Sequence, residues 1–190
     1  MGRLALTIGD RLYRVDAAGV LGAVTGTGLG RGPSDVPAAQ TNLATVMGMC
    51  VAPDGVVYVS EWVQVRKVDA QGVLREVIAR DGVSALNQYA GDGGPALDAR
   101  FDGADGVAVD RAGNLFVSDS RLDGARVRRV DASTGRIDTV AGGAVPGVAG
   151  AGGLARDAQL AGRGPLAIDP RGNVLFCDRQ AHRVVRIGVR

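Results

Sequence analysis

The 190-residue sequence predicts an all-β protein built from small antiparallel sheets, and three observations predict it. Short runs rich in β-branched and large apolar residues alternate with Gly, Asn and Asp punctuation of the kind that closes hairpins. These runs recur along the chain with successive copies roughly 50 to 60 residues apart, in the upper range of periods that mark repeated arrays of sheets. Glycine, at 30 residues, is about twice its ordinary usage, has no collagen period and falls at the expected turns.

The clearest copy spans residues 106–142, with runs at Val107-Ala108-Val109, Leu115-Phe116-Val117, residues 127–130 and residues 137–140. Its turns, Asp110-Arg111-Ala112-Gly113-Asn114 and Asp131-Ala132-Ser133-Thr134-Gly135, carry residues that tolerate positive φ or hydrogen-bond their own backbone. Ahead of it, residues 4–8, 12–15 and 20–24 supply three strands with no first-strand copy before them. Val51-Ala52-Pro53-Asp54-Gly55, Val57-Tyr58-Val59-Ser60-Glu61 and Val65-Arg66-Lys67-Val68-Asp69 repeat the first, second and third strands. The last copy has Leu166-Ala167-Ile168-Asp169, Val174-Leu175-Phe176-Cys177-Asp178 and Val184-Val185-Arg186-Ile187, and stops at Gly188-Val189-Arg190 before any fourth strand.

Gly106 to Asp110, Gly113 to Asp119, Arg126 to Asp131 and Thr139 to Gly142 give this chain a resemblance to the NHL-repeat β-propellers, in their long-repeat bacterial and teneurin-like form. That family's repeat reads G-[VIL]-A-[VI]-D, G-N-[LV]-[YF]-V-[AS]-D, R-[VI]-R-[KR]-[VI]-D and T-V-A-G. Gly91-Asp92-Gly93-Gly94-Pro95-Ala96 resembles its connector. Gln180-Ala181-His182-Arg183 and the longer Arg121-Leu122-Asp123-Gly124-Ala125 loop depart from the pattern. The resemblance implies an NHL-type β-propeller or partial propeller of about three and a half four-stranded antiparallel blades. One domain, residues 1–190, would hold partial blades at 3–26 and 165–190 and full blades at 48–80 and 106–142. The N-terminal strands could complete the C-terminal sheet within one chain, or two or more copies could join their incomplete end sheets in a homo-oligomer, the favoured arrangement.

Composition narrows the function. A net charge of +2 argues against a strongly electrostatic polyanion binder, so nucleic acid is not an expected partner. Arginine replaces lysine everywhere except Lys67, a bias that a GC-rich bacterial gene explains as easily as function does. No apolar run is long enough to span a bilayer. Met1-Gly2-Arg3 leads directly into residues 4–8 and Asp10 without the features of a signal peptide, so a cytoplasmic location or membership of a larger particle is expected. Cys50 and Cys177 fall in different sheets and read as half-buried free thiols.

In a four-stranded meander the second-to-third loops and the inter-sheet connectors share one rim, where loops on a rigid scaffold carry binding. The candidate binding residues there are Trp62, Tyr89, Arg100, Arg121, Arg126, Arg179, His182 and Arg183, interspersed with acids that include Asp92, Asp102 and Asp105. One histidine cannot build a multi-histidine metal site, and no catalytic constellation, metal or cofactor is expected. Glu61, Asp119 and Asp178 recur once per blade and read as structural acceptors of hydrogen bonds from the following loop or from third-strand arginines. The stripe of Arg66-Lys67, Arg128-Arg129 and Arg183 with Arg186, read as occupying the same position in every copy, is expected to be arginine stems packed between blades. Gly91-Asp92-Gly93-Gly94 reads as a turn between blades and is no P-loop, since no G-K-[ST] follows. The resulting expectation is a non-catalytic protein-interaction or assembly module. An RNA-binding NHL propeller and a lyase or lactonase-type propeller enzyme are the alternatives.

Overall fold

The computed structural model describes residues 5–26, 30–79, 89–121, 124–143 and 145–188, with residues 120 and 121 described by their backbone. Four antiparallel sheets follow one another along the chain. The first is β1 (Ala5–Ile8), β2 (Arg11–Val15) and β3 (Leu21–Ala23), in that order. The second holds β4 (Val36–Pro37), β5 (Gly48–Val51), β6 (Val57–Glu61), β7 (Gln64–Val68) and β8 (Val73–Ile78), ordered β4-β8-β7-β6-β5. The third comprises β9 (Ala104–Val109), β10 (Leu115–Arg121), β11 (Gly124–Val130) and β12 (Ile137–Ala141), ordered β12-β11-β10-β9. β13 (Leu166–Ile168), β14 (Val174–Asp178) and β15 (Arg183–Ile187) form the fourth.

The hairpins close by a device written into the sequence. The Oδ1 atoms of Asp16, Asp69, Asp110 and Asp169 each accept backbone N–H groups two and four residues on, at 2.8–3.0 Å. The glycine that follows each aspartate supplies the left-handed turn residue, Gly113 at φ 86° being one example. The sequence does not announce β4. It is a short piece of connector that pairs with the outer edge of β8, Val36 opposite Leu74.

Three apolar clusters sit between consecutive sheets. Leu12, Leu43, Val59 and Leu74 fill the first; Val65, Phe101, Val117 and Ile137 the second; and Val127, Leu160, Phe176 and Ile187 the third. Each joins a third-strand residue of one sheet, a connector residue and the inner face of the next sheet. A face of one sheet is thus finished only by its neighbour. The first strands, β5, β9 and β13, converge where the sheets meet most closely. A Cβ on Gly48 would lie 2.5 Å from the Asp105 carbonyl oxygen, and one on Gly106 would lie 2.7 Å from Pro165 Cα. That contact is what the G-V-A-V-D glycine is for. Ser60 Oγ and Ser118 Oγ reach across the same seams to the carbonyls of Asp105 (2.6 Å) and Gly164 (2.8 Å) in the next sheet.

Candidate functional site

The rim is organised by three acid–arginine clips. Glu61, at the end of β6, pairs with Arg66 and accepts the Ala44 N–H; Arg66 also donates to the carbonyls of Gly32 and Asn42, both at 2.9 Å. Asp119 accepts the Asp102 and Gly103 N–H groups at 2.9 and 3.2 Å, and Arg128 lies 3.7 Å from its Oδ2. Arg128 donates further to Asp92 and to the carbonyls of Ala90 and Arg100. Asp178 accepts the Ala161 and Gly162 N–H groups, while Arg183 pairs with it and donates to the carbonyls of Gly147, Val148 and Gln159. Each clip therefore ties the connector entering a sheet to that sheet. This confirms that the second-strand loops and the connectors share one rim.

Two details differ from the expectation. The recurring acids take their backbone hydrogen bonds from the preceding connector; Glu61 also accepts from Gln64 Nε2, at the start of β7, at 3.1 Å. The arginines do not share one position either. Arg183 pairs in register with Asp178 as Arg126 does with Asp119, whereas Val185 holds the place of Arg66 and Arg128. The clip survives this shift because an arginine side chain is long enough to reach the same carbonyls from either position.

Seven of the eight candidate residues fall into three places, with Arg179 bordering two of them. Tyr89 lies beneath the guanidinium groups of Arg126 and Arg128, at 4.1 and 4.7 Å from its ring centroid, and its hydroxyl bonds to Asp92 and Thr139. Arg100 joins this group through its carbonyl. His182 and Arg183 stand together on the β14–β15 turn, where His182 has φ 49°, as Trp62 does on the β6–β7 turn. Arg121 pairs with Gly124 through the β10–β11 ladder, and its side chain lies outside the described residues.

Arg179 lines the third place, a cavity of about 320 Å³ where the first strands converge, with Met47, Met49, Asp105 and Leu166, and the Trp62 carbonyl accepts the N–H of Ala104 next to Asp105. Arg163 stacks on Trp62 at 4.4 Å. Asp105 is buried, its Oδ2 lacks a partner among the described residues, and desolvation pushes its carboxyl above the usual range against the charges of Arg163 and Arg179. Asp105 was legible only as one acid among many, because what singles it out is a convergence of strands far apart in sequence. Among the described residues no three His, Cys, Asp or Glu side chains gather as a metal site, and no described helix is long and apolar enough to cross a membrane.

No protein-family profile matches the chain, and no curated protein does. Solved structures do. A protein of unknown function from Bacteroides thetaiotaomicron superposes over 92% of this chain with a TM-score of 0.68 and 17% identity. An auxiliary nutrient binding protein from Bacteroides ovatus covers 98% with a TM-score of 0.67 and 18% identity. A gluconolactonase from Xanthomonas campestris covers 92% with a TM-score of 0.52 and 13% identity. The fold is a β-propeller, present in part. The chain spans 43% and 45% of the length of the two Bacteroides proteins and 65% of the gluconolactonase, and at such identities the likeness is one of fold alone.

Seen as propeller blades, the four sheets are unequally covered. Leu12, Val65 and Val127 hold one position on the third strands of the first three blades, each fully buried by the blade that follows. Val184 holds that position on the fourth and is 68% exposed. Cys177, opposite Val184 in the ladder, stands where Ser60 and Ser118 reach for the next blade. With Arg179, His182 and Arg183 these residues line an open recess of about 550 Å³. Ile8, Val20 and Leu21 leave apolar surface exposed on the first blade as well.

Proposed function

We propose that the chain is a non-catalytic module of the NHL-repeat kind that binds protein, in the first place a second copy of itself, by covering the bare face of its last blade. The observation that carries this reading is Val184, exposed at a position whose three counterparts are fully buried. Burying one such side chain is worth about 1.5–3 kcal/mol, and Cys177, Arg179, His182 and Arg183 line the recess around it. Two chains would bring about seven or eight blades together, within the range of closed propellers. His182, Arg179 and Arg183 give the rim of that face its polar character.

A second reading, a lactonase-type site at the convergence of the first strands, is favoured by Asp105 and its unpartnered oxygen. It is the weaker reading, because the groups around that oxygen are arginines, methionines and leucine without a second acid or an imidazole.

Cys177 is a built-in reporter for the first reading. Its labelling by a small maleimide should slow as protein concentration rises in the native chain, and should be fast and independent of concentration in Val184→Glu. A native rate independent of concentration would count against self-association through this face.

A further inference from the structure

The cavity at the convergence of the first strands departs from the repeat in one residue. By register, Met49, Val107 and Leu166 hold one position on β5, β9 and β13, and the position two residues earlier falls to Met47, Asp105 and Gly164. The later position is apolar in all three blades. The earlier one carries a thioether, a carboxyl group and no side chain. Acids that hold a blade together recur from copy to copy, as Glu61, Asp119 and Asp178 do. Asp105 does not recur.

What this residue gives the fold comes from its main chain. The Asp105 carbonyl accepts Ser60 Oγ at 2.6 Å, a bond that any residue type there would supply. The residue is 8% exposed, and its Oδ2 has no hydrogen-bond partner among the described residues. Arg163 and Arg179 lie near enough for their charges to oppose the desolvation of the carboxyl group, yet neither forms an ion pair with it among the described residues. Arg163 is stacked on Trp62 at 4.4 Å, and Arg179 lines the cavity while its N–H donates to the Arg163 carbonyl at 3.2 Å. A buried carboxyl group without a partner is costly to the folded chain. One that adds no side-chain contact to the blade calls for a partner from outside.

We propose that this cavity binds a small α-amino acid with an apolar side chain. The ammonium group of the ligand donates to Asp105 Oδ2, its carboxylate meets the guanidinium group of Arg179, and its side chain lies along Met47, Met49 and Leu166. The volume of about 320 Å³ is at the small end of ligand sites, and an apolar wall with a few polar groups is their usual lining. Charge decides against simpler ligands. A plain carboxylate leaves Oδ2 unpaired beside a second anion, and a plain amine adds a cation beside Arg163 and Arg179. A zwitterion satisfies both sides. The residues that line the cavity include no second acid and no imidazole, so the site holds its ligand without acting on it. This goes beyond self-association through the last blade, since Val184 is not among those residues.

Trp62 is the only tryptophan, and its stack with Arg163 makes its fluorescence a reporter of the arginines beside Asp105. Titration of the 190-residue chain with L-leucine should change that fluorescence saturably and should raise Tm. Isocaproate, which lacks the ammonium group, and isoamylamine, which lacks the carboxylate, should each bind about tenfold more weakly, the worth of one hydrogen bond to a charged group. Asp105→Asn should weaken L-leucine binding about tenfold as well. It should also raise the Tm of the free chain, because it removes a desolvated carboxyl group that nothing holds. A carboxyl group with a structural role would do the reverse, lowering Tm on substitution and leaving the affinity unchanged. That outcome overturns the proposal, as does L-leucine that moves neither fluorescence nor Tm, or either analogue binding as tightly as L-leucine. Light scattering on Val184→Glu reports self-association alone, so the two ideas fail separately.

Discussion

Val127 on β11 and Val184 on β15 sit at the same register position, opposite Ser118 and Cys177, yet the first is fully buried and the second 68% exposed. The same contrast runs through the two blades. The Arg128 side chain is fully buried in its clip, whereas that of Arg183 is 27% exposed; β12 lies between β11 and its connector, whereas the matching place beside β15 is a groove. Local sequence builds both sheets, since each forms its hairpins from the same Asp-to-Gly turns. What separates them is the neighbour. A propeller blade owes its ordered core to the next blade and its fixed edge to the strand beside it.

The comparison is broken most forcefully at the arginines. Arg128→Met strands buried Asp119 and the carbonyls of Ala90 and Arg100, and should cost about 3–5 kcal/mol in urea unfolding. Arg183→Met, at a partly solvated clip, should cost about 1 kcal/mol. Equal losses would mean that burial does not set the strength of a clip.

A smaller effect follows from Asp119. Burial raises its pKa from 3.8 to about 6, against the charge of Arg128 and the hydrogen bonds from Gly103 and Asp102. The folded chain then holds a proton that the unfolded chain has released between those values, so this residue makes the protein more stable as pH falls from about 6 to about 4, and the gain is lost as pH rises back through the folded pKa. Other aspartates, such as Asp131 at about 2, work in the opposite sense, but they are common to the native chain and to Asp119→Asn. The difference between the two stability profiles should therefore slope in favour of the native chain on acidification. Parallel profiles would contradict the burial argument.

Much of the fold was legible because it is encoded within single hairpins. The alternation in Val57-Tyr58-Val59-Ser60-Glu61 and the aspartate turns lie within a few residues of each other, so strands and loops could be read directly. The structural role of Glu61, Asp119 and Asp178 was legible from their recurrence. Their true donors were not, since Ala44, Asp102 and Ala161 lie 17 residues upstream in irregular connectors without a hydrophobic period. β4 escaped for the same reason. The candidate residues on the rim were chosen by loop membership, which cannot tell that Tyr89 lies under Arg126 and Arg128 or that Asp105 meets Arg179 across a seam of strands. The two-residue shift that makes Arg183 the partner of Asp178 was hidden by the similarity of the arginine-rich third strands.

The central claim, that the bare face of the last blade is completed by another copy, is tested most directly by the solution mass of the chain measured by light scattering across a range of concentrations. The account predicts a mass above that of one 19.4 kDa chain, growing with concentration or stable at twice that value or more, and a return to one chain in Val184→Glu with unchanged circular dichroism. A native chain that stays at the mass of one copy at every concentration would contradict it.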